Sequence, residues 1–184
     1  AEGRRDDMHN LFLAANRFVC TFLFPLAALI ALHAHDMVYA WSGDLAAADW
    51  SRSILPWYSL GSAIMAVSAF QFYLQYAYGR MQLHIWYSVV SAVITVPVMY
   101  TAIHFYGALG AALAWFVLRL VSFAIWPMIV HQRLAPGIHG LWLRDILRIS
   151  VMTAVGLALS EPVLRLIADD NRFHTFMGLA VSGL

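Results

Sequence analysis

Long apolar runs alternate with short polar breaks along the whole chain. The runs cover about Phe18 to Trp41, Ile54 to Tyr78, Leu83 to Phe105, Leu109 to Val130 and Ile146 to Ala168. Each is close to the ~20 residues an α-helix needs to cross a bilayer. A sixth run, Phe173 to Leu184, stops after twelve residues, and the chain starts without a Met. Both ends therefore read as cut from a longer protein. The pattern predicts an all-α, polytopic helical membrane protein with about five full transmembrane helices plus a truncated sixth.

The breaks divide the chain further. Residues 1–17 mix charge with Leu11, Phe12 and Leu13 and are expected to form an interfacial lead-in on the membrane surface. Residues 18–131 form a four-helix transmembrane block, 132–145 a cytoplasmic loop with a Pro136-Gly137 turn signal, and 146–184 a truncated C-terminal helix pair. Pro25 and Pro97 lie inside runs and are expected to kink them, because proline removes an N–H and crowds the preceding turn. Tyr106-Gly107 is too short and apolar to be more than a tight turn, so the third and fourth spans pair as an antiparallel hairpin. Gly107, Gly110, Ala111 and Ala114 supply the small surface for close helix approach.

Composition sharpens this reading. At 62% apolar and 11% charged, the chain lies well outside the range of soluble domains. Its single cysteine, Cys20, excludes an internal disulfide and a cysteine metal site. The histidines lack metal-ligand spacing, and no HExxH, Walker or GxSxG motif occurs. No enzyme, metal, cofactor or nucleic-acid partner is indicated; the partner is membrane lipid. Arg4, Arg5, Arg17, Arg80, Arg133, Arg144 and Arg148 would share one side, against Arg52, Arg165 and Arg172 on the other. That bias predicts a cytoplasmic N-terminus.

Few polar residues interrupt the spans. Arg119 lies about ten residues from either end of its run, which makes snorkelling difficult. It either pairs with a carbonyl inside the bundle or faces a water-filled cavity as an anion-attracting group. Gln71 and Gln75 share one helix face, either as interhelical glue or as the lining of a path for hydroxyl-rich cargo. His33 and Asp36, with His35 beside them, suit ion coupling, or else lie wet at the headgroup level.

Three motifs carry a family resemblance. Met37-Val38-Tyr39-Ala40-Trp41-Ser42-Gly43 looks like an aromatic-x-Gly helix end, and Tyr78-Gly79-Arg80 like a small-residue, basic exit. Tyr106-Gly107-Ala108-Leu109-Gly110-Ala111-Ala112 looks like a YGxxGAA hairpin. In this order, over about Pro25 to Arg133, the chain resembles the polysaccharide (O-antigen type) flippases of the multidrug/oligosaccharidyl-lipid/polysaccharide exporter superfamily. The resemblance implies the second-lobe portion of a two-lobe exporter in the bacterial inner membrane, with the first lobe missing here. Such an exporter moves lipid-linked oligosaccharides outward by alternating access, alongside polysaccharide polymerase and assembly proteins. Arg119 would then meet the anionic carrier or acidic sugars, and Gln71 and Gln75 the sugar hydroxyls; these roles follow from position alone. The alternatives are a cation-coupled multidrug or metabolite antiporter using His33 and Asp36, and a non-transporting membrane scaffold.

Overall fold

A computed structural model describes the backbone of residues 2–167 and the side chains of residues 5–160. Among the described residues the chain is all helix: α1 Glu2–Leu32, α2 Ala34–Ser42, α3 Leu45–Ser68, α4 Phe70–Ala77, α5 Gln82–Leu134 and α6 Ile138–Ile167. Three helical stretches are long and apolar enough to cross a membrane: Arg5–Leu32, Leu45–Ala77 (α3 and α4 together) and Gln82–Leu134. Their outward side chains agree. Val93, Val96, Tyr100 and Phe105 are each about two-thirds exposed or more. A continuous apolar surface of this kind suits lipid rather than water. The shortened run from Phe173 lies outside the described residues.

The third stretch folds back on itself. Gly107 has φ 59° and ψ −143°, a region closed to residues with a Cβ, and the chain reverses there. The Tyr87 hydroxyl meets Ser122 Oγ at 2.6 Å and its ring stacks on Trp126 at 4.4 Å, so the arms 82–106 and 108–134 lie side by side. The hairpin thus forms where the turn motif placed it. Gly110 completes it, since a Cβ there would overlap the Ala102 carbonyl. Helix α5 runs through Pro97 and Pro127, and α1 through Pro25, with Gly107 the one non-helical residue inside α5. The helix is interrupted eight residues beyond Pro25, at His33 (φ −114°, ψ 28°).

Cross-helix contacts fix the packing. Ser59 Oγ donates to the Ala27 carbonyl at 3.2 Å and His9 meets the Tyr78 hydroxyl at 2.8 Å, so α1 runs antiparallel to α3 and α4 in one register. Trp142 Nε1 donates to Asn16 Oδ1 at 3.3 Å, and Arg17 pairs with Asp145 at 3.5 Å, which docks α6 alongside α1. The core sits between them: Phe12, Leu13, Cys20, Val67, Leu74, Val130, Leu134 and Trp142.

Three boundaries differ from the sequence reading. The lead-in 1–17 is not a separate surface helix from residue 2 onward, but the first half of α1, with Phe12, Leu13 and Asn16 buried. No breaker separates it from the span, and its apolar stripe has α4, α5 and α6 to cover it. The loop 132–145 contracts to Ala135, Pro136 and Gly137, because Ile138, Trp142 and Ile146 recur every four residues and bury one helix face. The break from Ser42 to Arg52 contracts to Gly43 and Asp44. Gly43 adopts φ 70° to end α2, and Asp44 Oδ1 accepts from the Ala46 and Ala47 amides to begin α3.

Candidate functional site

Arg119 occupies the second arm of the hairpin, one turn after Trp115. Its guanidinium lies 4.3 Å from the centre of the Trp115 ring, and that ring stacks on Tyr58 from α3 at 5.5 Å. Among the described residues no carboxylate pairs with Arg119, and its buried Nε finds no acceptor. A cation–π contact contributes about 0.5–2 kcal/mol, less than the roughly 2.5–3.5 kcal/mol cost of an arginine at mid-membrane. On these magnitudes the ring alone does not offset the cost of the charge.

Two cavities meet at this residue. A groove of about 340 Å³ runs between the hairpin arms, walled chiefly by Trp86, Val90, Ile94, Leu118, Ile125 and Ile129. On the other side, a cavity of about 130 Å³ lies between α3, α4 and the hairpin, with Ser68, Phe72 and His84 in its wall. Tyr87, Arg119, Ser122 and Trp126 border both, so they form the partition. One face of the partition is apolar; the other offers aromatic rings, hydroxyls and an imidazole. His84 packs edge-on against Phe72 at 4.9 Å and near Tyr87.

Gln71 and Gln75 lie elsewhere. Both are fully buried on the inner face of α4 and border neither of these cavities. Gln75 Nε2 donates to the Gln71 carbonyl at 2.9 Å, while Gln75 Oε1 and both amide atoms of Gln71 have no partner among the described residues. The register that pairs His9 with Tyr78 and Ala27 with Ser59 sets Gln71 opposite Asn16. These amides belong to an internal polar layer next to the core.

At the opposite end of α1, His33 Nδ1 and Asp36 lie 3.9 Å apart. The shorter contacts are made by His35, at 3.0 Å from Asp36 and 3.3 Å from Asp49 on α3. Sequence spacing picks out pairs on one helix and so missed Asp49, fourteen residues away and brought near only by the Gly43 turn. The partition residues Tyr87, Ser122 and Trp126 were missed for a similar reason: an aromatic or serine in a span carries no signal until the hairpin closes. Gly107 and Gly110 stand at the hairpin's tip and do not line either cavity.

No family model, curated protein or solved structure matches the chain. Its chemistry is read from its own residues.

Proposed function

We propose that this chain is the second-lobe portion of a transporter that carries lipid-linked oligosaccharide precursors across the bacterial inner membrane for surface polysaccharide synthesis. In this reading five spans enclose half of a central path, and α6 is the fifth. One observation carries it. Among the described residues Arg119 has no counter-charge, and it stands where an apolar groove meets a cavity of rings and hydroxyls. A cargo with an anionic headgroup between a hydrocarbon tail and a sugar matches that sequence of surfaces. The guanidinium holds the phosphate or acidic sugar, the groove takes the tail's first carbons, and Phe72, Tyr87 and Trp126 give sugar rings an apolar face to rest on. The glycine hairpin at Gly107 lies at the YGxxGAA-like motif on which this reading draws.

The test is Arg119→Ala in the intact protein. Surface polysaccharide is lost while membrane insertion stays normal; polysaccharide at the unaltered level would overturn the assignment. A second reading, a cation-coupled antiporter, is favoured by the imidazole–carboxylate cluster of His35, Asp36 and Asp49. Substrate efflux that collapses with the proton gradient, in cells whose polysaccharide is unchanged by loss of the protein, would select it.

A further inference from the structure

Helix α6 docks on α1 through the buried side chains of Trp142 and Ile146, and through Asp145, 3.5 Å from Arg17. Its other side is exposed and carries two rows at four-residue spacing. Leu143, Leu147 and Val151 form one row; Arg144, Arg148 and Met152 form the other. The rows wall a groove of about 640 Å³ that begins at Gly140, where an added Cβ would meet nothing within 4 Å. Among the described residues neither Arg144 nor Arg148 has a hydrogen bond or ion pair, since the neighbouring Asp145 faces Arg17. Like charges one turn apart on a helix repel, and an anion held between them relieves that repulsion. The groove changes character along its length. No charged residue follows Arg148 up to Ser160, and Val151, Met152, Val155 and Leu159 are each more than half exposed. The two arginines thus stand where a charged segment gives way to a surface suited to lipid.

We propose that this groove binds an anionic phospholipid of the surrounding bilayer, with its phosphate on Arg144 and Arg148 and an acyl chain along Leu147, Val151 and Met152. A guanidinium presents a planar fork of N–H donors that matches phosphate oxygens. A neutral lipid would cover the apolar row and leave both charges unmatched. A free phosphate would meet the charges and leave the apolar row bare. An anionic lipid satisfies both at once. Arg17 lies at this same end of the bundle, and Arg80 and Arg133 follow closely on Tyr78 and His131 there, so the local field also favours anionic headgroups. The groove shares no wall residue with the two cavities at Arg119, so a lipid held here does not compete for that site. The inference rests on α6 lying in the membrane, as in the reading above, and not on the identity of the cargo.

A bimane label on Met152→Cys, in the intact protein with Cys20→Ala, reports lipid contact in the groove. Val93→Cys, 67% exposed on α5, serves as the control. The protein is placed in phosphatidylcholine nanodiscs in which one small fraction of lipid carries brominated chains, which quench the label on contact. That fraction is either phosphatidylglycerol or phosphatidylcholine. At Met152 brominated phosphatidylglycerol is expected to be enriched roughly fivefold or more over brominated phosphatidylcholine, while at Val93 the two quench alike. Arg144→Gln with Arg148→Gln, both at exposed positions, removes the preference and leaves quenching by phosphatidylcholine in place. Equal quenching by the two lipids at Met152, or a preference that survives the double substitution, overturns the proposal and leaves α6 in the membrane. A label at Met152 that neither lipid quenches, with Val93 still quenched, overturns both the site and the fifth span. Unaltered polysaccharide in the Arg119→Ala protein bears on the cargo alone.

Discussion

Gly61 on α3 faces the indole of Trp115 so closely that a Cβ would lie 2.6 Å from Cδ1 and 2.9 Å from Nε1. The same indole carries the guanidinium of Arg119. The glycine thus sets how near the hairpin approaches α3, and through Trp115 where the intramembrane charge stands. Gly61→Ala is expected to cost about 1–3 kcal/mol by overpacking. Gly61→Ala combined with Trp115→Leu should cost less than the sum of the single changes, because the smaller side chain frees the space. Thermal unfolding in a mild detergent measures all three; strict additivity would show that the two residues do not share that space.

At the hairpin tip, two glycines fail for different reasons. A Cβ on Gly107 meets nothing within 4 Å, so the penalty there is one of backbone conformation, about 1–3 kcal/mol, and changes little from Ala to Val. At Gly110 the obstacle is the Ala102 carbonyl, and the penalty grows with side-chain size. Unfolding temperatures of the four variants check this. Equal size dependence at the two sites would contradict it.

Arg119→Met should raise stability in lipid while removing function. The substitution deletes a charge whose mid-membrane cost exceeds its cation–π return. A lowered unfolding temperature in nanodiscs would mean that the charge already has a structural partner.

Gln71→Leu is expected to be neutral or stabilising. Among the described residues its amide nitrogen and oxygen both lack partners, and an apolar group of similar size removes an unmet desolvation cost of about 1–3 kcal/mol. Gln75→Leu should gain less, because its Nε2 bond to the Gln71 carbonyl is lost. If Gln71→Leu instead unfolds the protein, the amide is engaged by another part of the intact chain.

Where a signal is local, the sequence and the structure agree. The hairpin could be read because glycine at Gly107 and small residues after it state their geometry within one turn. Arg119 could be read because a charge in an apolar run is conspicuous. The first half of α1 and the start of α6 could not. Arg17, Arg144, Asp145 and Arg148 interrupt their hydropathy, although each helix buries an apolar stripe and Arg17 and Asp145 meet each other. Gln71 and Gln75 show the limit from the other side: their spacing gave a shared face correctly, but only the register against α1 decides what that face meets.

The bond from Trp142 to Asn16 joins residues separated by 126 positions, the first long helix to the last one described. On a ribosome adding ~5–20 residues per second, α1 would wait on the order of ten seconds before its partner exists. In the folded chain the Asn16 amide nitrogen also donates to the Phe12 carbonyl, one turn back, at 2.9 Å. The α1–α6 seam therefore cannot form until the segment that carries Trp142 has been made.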